Sequence, residues 1–431
     1  MTASADVAGA PRKKSFIETL ELDTRMLGMV VAFIVLTVGF HLVTHGLFLT
    51  PRNIFNLTIQ TVSIGIMATG MVFVIVMRDI DLSVGSLLCL CSAVMGLLQV
   101  RLLPDIGIPL GSPLIAPLAI VSGLAVGAII GALNGWLVGY LAVPSFIVTL
   151  GGLLVWRNVA WYITSGQTLG PLDDNFQLFG GINGTLGAPA SWAFGILACA
   201  GALYALWHGR RAKIRHEFPV KPVWAEVVIA AVIVVAILGF VWILNSYQIP
   251  PAVLRRHFAA IGKPMPQGYA DVYGLPISVF LLIAVAIAMT LVALKTRFGR
   301  YVFATGGNPD AAELSGINTK LLTVKVFALM GALAALSAVV ASARQTYHTN
   351  DIGTLDELRT IAAAVIGGTA LAGGVGTIYG AILGALIMQA LNSGMAMVGV
   401  DSPFQNIVVG SVLVLAVFVD IVYRKRTGAL K

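Results

Sequence analysis

The chain has 431 residues, 58% of them hydrophobic and only 11% charged, where a soluble globular domain carries roughly 25%. With 47 glycines as well, a residue more frequent in membrane helices than in soluble ones, this excludes an ordinary soluble enzyme, a disordered chain and a nucleic-acid binder. The formal net charge of +8 then reads as loop charge that orients a membrane protein.

The first 25 residues are polar and include Pro11-Arg12-Lys13-Lys14. No short apolar stretch with a small-residue cleavage site follows, so a cleaved signal peptide is not expected. Ser15 to Arg25 is predicted to be a short interfacial helix, with Ser15 and Glu18 as its capping box. Crossing about 30 Å of hydrocarbon takes roughly 20 apolar residues. Such runs lie near 26–49, 54–77, 83–102, 113–140, 144–164, 191–207, 224–244, 276–294, 321–343, 358–374, 377–398 and 404–423. The predicted fold class is therefore all-α: a polytopic membrane bundle of about 10–12 transmembrane helices. The Gly-rich pair after 358 is also compatible with broken or re-entrant helices.

Basic residues test the topology. With the N-terminus inside and each run crossing once, the inner side holds the N-terminal tail, the 208–222 loop, the 295–320 loop and the C-terminal tail. Seventeen of the 27 Lys and Arg residues fall there and seven on the outer side. This asymmetry predicts both termini in the cytoplasm and an even number of crossings. Residues 1–25 form the predicted cytoplasmic tail and 26–431 a single transmembrane domain, with the polar stretches 165–190 and 245–275 as outer loops. Gly131-Ala-Leu before Val143-Pro-Ser-Phe and Gly384-Ala-Leu before Ser402-Pro-Phe share a weak pattern. Half-to-half similarity of this kind is common in transporters.

No catalytic or metal constellation is visible. Cys89, Cys91 and Cys199 sit inside apolar runs and read as small core residues. Of the six histidines only His41 and His45 have a helical i, i+4 spacing, and they lack the Glu of a metalloprotease helix. Gly373-Gly-Val-Gly-Thr-Ile-Tyr-Gly lacks the Gly-Lys-Ser/Thr end of a phosphate loop and lies in an apolar run expected to be helical.

Polar residues inside apolar runs are the remaining candidates. Arg78-Asp79-Ile80-Asp81-Leu82-Ser83 interrupts two runs, either as a capped turn at the membrane edge or as the polar start of a discontinuous helix. Asn134 stands mid-span, facing a cavity or stapling two helices. Pro144 opens a helix that carries Ser145, Phe146 and Thr149. Arg157 and Lys325 lie near the ends of their runs, where long side chains snorkel. The glycines at 123, 127, 131 and 135, and those from 367 to 384, predict close helix packing.

The loop from Arg297 to Asn318 encodes a short self-contained helix: Asn308 as N-cap, Pro309 at the first position, Asp310 and Glu313 at the positive end, Gly316 as the stop. It is either a connector or a helix that docks on a cytoplasmic partner. Here the chain resembles the permease subunits of bacterial ATP-driven (ABC) sugar importers of the ribose/xylose/galactose branch. The matching stretches are Ile80-Asp-Leu-Ser-Val-Gly-Ser86, Pro144-Ser-Phe-Ile-Val-Thr-Leu150, Gly306-Gly-Asn-Pro-Asp-Ala-Ala-Glu-Leu-Ser-Gly-Ile-Asn318 and Ile361-Ala-Ala-Ala-Val-Ile-Gly-Gly-Thr-Ala-Leu-Ala-Gly-Gly374, across about residues 54–165 and 276–425. Asp79 and the basic, hydrophobic insertion at 208–275 are similar to the xylose-type branch.

The resemblance implies a type II-like importer fold in the inner membrane and a homodimer. It also implies two cytoplasmic ATPase subunits that use ATP and Mg, a periplasmic sugar-binding protein, and neither catalysis nor a bound cofactor on this chain. The family's coupling helix falls on Gly307, Asn308, Pro309, Asp310, Ala311, Ala312, Glu313, Leu314 and Gly316. Arg359 stands where relatives usually carry an acidic or neutral residue. Gln60, Asp81, Ser83, Asn134, Ser145, Phe146, Thr149 and Asn392 are the predicted substrate pathway. An ion-coupled carrier would need a buried titratable residue mid-membrane, and a non-transporting scaffold would not need the capped loop.

Overall fold

The computed structural model describes residues 24–260 and 262–426. The predicted interfacial helix from Ser15 lies outside the described residues except for its last two positions. Helices α1 (Thr24–Val43), α2 (Pro51–Val76), α3 (Val84–Leu97), α4 (Ile115–Gly139) and α5 (Ser145–Thr164) lead into a hairpin of α6 (Gly187–Arg215) and α7 (Val223–Asn245). A short α8 (Pro251–Ala260) precedes α9 (Ile277–Lys295), α10 (Arg297–Gly307), α11 (Pro309–Leu314) and α12 (Thr319–Gln345). The chain closes with α13 (Asp356–Ile366), α14 (Ile378–Met397) and α15 (Ser402–Arg426). Among the described residues β-structure amounts to four isolated bridges, and 11 helices are long and apolar enough to cross a membrane.

Three expected segments differ in detail. α1 ends at Val43 because His45 and Gly46 take positive φ and turn the chain toward Pro51. α6 runs on to Arg215, so Arg210, Arg211, Lys213 and Arg215 ride on its last turns, where cations suit the helix dipole. Arg210 pairs with Glu226 of α7 at 2.8 Å. Most consequentially, the run at 358–374 is not one crossing helix. α13 has 11 residues, about half a span. Gly368, Gly373 and Gly374, all at positive φ, then turn the chain back toward α14. The Gly373-Gly-Val-Gly stretch therefore lies in this turn, not in a helix.

α2 and α12 form the centre and are buried along most of their length. α4 lies against α12 through its glycines. A Cβ on Gly127 would overlap the backbone of Gly331, one on Gly131 that of Phe327, and one on Gly135 that of Val324. Small residues here let two helix backbones approach closely, the main source of helix association where lipid replaces water. α14 meets α13 in the same way, Gly384 against Ala363 and Gly380 against Gly367. The α6–α7 hairpin stands at the periphery and exposes Leu197, Tyr204, Val232 and Val235.

The bundle has two distinguishable ends. At one, Gly139 lies on Lys320 and Gly306 on Val76 and Gly374. At the other, Leu169 pairs with His348, Leu186 with Leu275, and Gly394 with Phe40. Residues 346–377 run from the second end to the first as loop, half-helix and glycine turn.

Candidate functional site

Two helices begin inside the bundle. α3 starts at Val84 after an irregular stretch from Met77, and α13 starts at Asp356 after Leu355, which has φ of 63°. Their N-termini meet: Gly85 is packed against the Gly353 carbonyl and Glu357. Irregular backbone at this depth persists only where protein or a cavity surrounds it. Asp356 and Glu357 occupy the first turn of α13, where negative charge suits the exposed N–H groups.

Asp81 is buried and accepts from the Ser83 N–H at 2.9 Å and the Ser83 hydroxyl at 2.6 Å. Asn134 Nδ2 donates to Ser83 Oγ at 3.2 Å. The Ile80 N–H donates to Ser145 Oγ at 3.3 Å, and the Thr149 hydroxyl donates to the Ile80 carbonyl at 3.1 Å. Asp81, Ser83, Asn134, Ser145 and Thr149 thus form one network that fastens residues 80–83 to α4 and α5. Of the two roles open to Asn134, the geometry is that of a staple. Phe146 is 51% exposed on the bundle surface, away from the network. Asp79, on the connection between α2 and α3, has its carboxyl pushed up to about 6 by burial, against a hydrogen bond from Ser145.

Arg157 does not snorkel. Its Nη1 donates to the Asn350 carbonyl at 2.8 Å and to Thr354 Oγ1 at 3.0 Å, pinning the loop that descends to α13.

A cavity of about 560 Å³ opens between α2, α12, α13, α14 and the start of α15, within the ~300–1,000 Å³ of small-molecule sites. Gln60 and Asn392, both predicted, line it, together with Ser63, Arg344, Asp356, Arg359 and Gln389. Gln389 Nε2 donates to Gln60 Oε1 at 2.6 Å, and Arg359 Nη1 pairs with Asp356 Oδ1 at 3.1 Å. Asn392 Oδ1 and Arg359 Nε are buried without a partner. Gln389 and Ser63 escaped the sequence reading, although each lies three positions from a residue it identified. That i, i+3 repeat of polar groups in an apolar span was the available signal.

At the first end of the bundle, three caps in succession define a corner. Thr296 Oγ1 accepts from the Gly299 N–H at 3.1 Å, Asn308 Oδ1 from Ala311 at 3.0 Å, and Asn318 Oδ1 from Leu321 at 2.9 Å. α10, α11 and α12 each start from a fixed residue, and Gly316 at φ 83° ends the turn after α11. Gly307, Asn308, Asp310, Ala311, Glu313 and Leu314 are exposed and Pro309 is half-buried, whereas Ala312 points inward. Leu314 is 90% exposed, an apolar knob on an otherwise polar corner.

No group of three or more His, Cys, Asp or Glu among the described residues is arranged to hold a metal ion. Residues 53–417 match the family model described as branched-chain amino acid transport system / permease component. The xylose transport system permease protein XylH of Escherichia coli (strain K12) is 36% identical over 417 residues, 97% of each chain. The XylH of Haemophilus influenzae is 37% identical over 400 residues, 92% of this chain and 96% of that one. The ribose import permease protein RbsC of Escherichia coli (strain K12) is 33% identical over 377 residues, covering 86% and 87%. No solved structure matches. With a match that spans the bundle from α2 to α15 and relatives aligned over nearly their whole length, the chain belongs to the branched-chain amino acid transport system / permease component family.

Proposed function

We propose that this chain is the membrane-spanning subunit of an ATP-driven sugar importer. In this reading it receives a monosaccharide, xylose or a related pentose or hexose, from a periplasmic binding protein and passes it through the α2–α12–α14 cavity. The observation that carries it is a polar cavity in an otherwise apolar bundle, walled by amides, hydroxyls, the Asp356–Arg359 pair and the Arg344 guanidinium. A neutral polyol needs those donors and acceptors, and its hydroxyls would complete Asn392 Oδ1 and Arg359 Nε. Full-length similarity to permeases named for xylose and ribose supports the substrate class.

The chain itself hydrolyses nothing and binds no cofactor in this reading; ATP and Mg belong to two ATPase subunits. These dock on the exposed face of α11, with Leu314 as the apolar anchor. Clustering of Lys and Arg at that end supports a cytoplasmic location for it and for both termini, in the inner membrane. Two copies of the chain would pair in the complete importer.

Reconstitution tests this. The chain is placed in liposomes with its ATPase and binding protein, and entry of labelled xylose is followed. Uptake that requires both partners and hydrolysable ATP is expected. Uptake by the chain alone, driven by an ion gradient, would overturn the reading in favour of a secondary carrier.

A further inference from the structure

Arg78 sits where three separate parts of the chain converge. It follows α2, and its backbone is left-handed at φ 69°, a conformation that non-glycine residues hold only where the surroundings impose it. Its Nε donates to the Gly306 carbonyl at 2.9 Å and its Nη2 to the Gly307 carbonyl at 2.8 Å. Those are the last carbonyls of α10, left without partners inside the helix, and a guanidinium fork satisfies both while placing a cation at the negative end of the helix. The third strand of the junction is the glycine turn after α13. The Gly374 N–H donates to the Val76 carbonyl at 2.9 Å, and a Cβ on Gly373 would overlap Arg78 Cγ. Gly306 likewise leaves no room for a side chain against Val76.

What lies on either side gives the junction its meaning. Gly307 is followed at once by Asn308, the N-cap of the exposed α11. Arg78 is followed by residues 79–83, which enter the bundle, are gripped by Ser145 and Thr149, and end where α3 meets α13 beside the cavity. The glycine turn is the other end of α13 itself. A shift of the α10–α11 corner therefore reaches both ends of α13 and the start of α3 through one side chain and a few backbone bonds.

We propose that Arg78 is a positioning residue that transmits movement of the α10–α11 corner to the two half-helices at the cavity. The proposal rests on the importer reading given above. The complete importer, with ATPase and binding protein in liposomes, is compared for the wild-type chain, Arg78→Gln and Arg78→Lys. The readouts are ATPase retained on the membrane subunit, ATP hydrolysed and labelled xylose delivered. Arg78→Gln is expected to retain the ATPase and hydrolyse ATP while xylose delivered per ATP falls about tenfold, within the usual range of coupling between sites. Arg78→Lys should recover part of the ratio, since an ammonium reaches the carbonyls without the fork.

An unchanged ratio in Arg78→Gln overturns the proposal. So does a parallel loss of ATPase retention and transport, which marks a purely structural staple. If Arg78→Gln does not fold, the ratio in Arg78→Lys decides: a wild-type value overturns the proposal and an intermediate one supports it. A wild-type chain that binds no ATPase overturns the importer reading, and this proposal with it.

Discussion

Asp79 and Asn134 show how little of a side chain's role is set by its type. Burial raises the Asp79 carboxyl from 3.8 to about 6, so the native state holds a proton there that the unfolded chain releases. Stability is therefore lost as pH rises between those values, and the whole penalty is present above about 6. Asp79→Asn should melt higher than wild type at pH 8 and together with it near pH 3.5, measured on purified protein in detergent. An equal offset at both pH values would rule this out. Asn134 faces the opposite situation, because its donor is matched. Asn134→Leu leaves the Ser83–Asp81 pair short of a hydrogen bond and should lower stability by about 1–3 kcal/mol. Sequence placed Asn134 in mid-span but could not choose between cavity and staple, since its partner is 51 residues away.

Elements were the most legible level. The four-residue spacing of glycines on α4 announced a close helix contact, though not that α12 would supply it. Gly131→Val should therefore disrupt the bundle, by about 1–3 kcal/mol or more. Gly151→Val on α5, where a Cβ meets nothing within 4 Å, should be tolerated. Similar melting temperatures for the two would show that the α4–α12 seam does not depend on backbone approach. The capped α11 was readable for the same reason, as caps are local and sit at fixed offsets. Which of its faces points outward was not local. Ala312 packs inward, so a charge there tests folding, whereas Leu314 has no covering residue. Leu314→Glu should weaken retention of the ATPase at least tenfold, a change of about 1.4 kcal/mol, without altering the melting curve. Full retention would remove α11 from the docking surface.

For the whole molecule, composition and run lengths were enough to show a polytopic helical membrane bundle. They left the Gly-rich run at 358–374 open between a span and a broken helix, because a glycine turn of Ala, Leu and Gly has the hydropathy of a span; the structure takes the broken form. The cavity depends on that break, which sets the start of α13 beside the start of α3. Polarity alone did not separate two kinds of residue: Asp81, Ser83 and Asn134 bond one another, Ser145 and Thr149 bond the Ile80 backbone, and of the eight expected residues only Gln60 and Asn392 reach the cavity. A polar group satisfied by protein stabilises the bundle, and one left open is available to cargo. The two classes should separate experimentally. Asn392→Leu and Asn392→Ala, at the group left open, should each lower xylose delivery about 3- to 10-fold, the value of one hydrogen bond, with ATPase retention and melting unchanged. Asn134→Leu should lower the yield of folded protein while leaving delivery per folded molecule intact. If instead Asn134→Leu lowers delivery per molecule and the cavity variants do not, the sugar passes along the α3–α4–α5 network and the cavity between α2 and α14 is not its route.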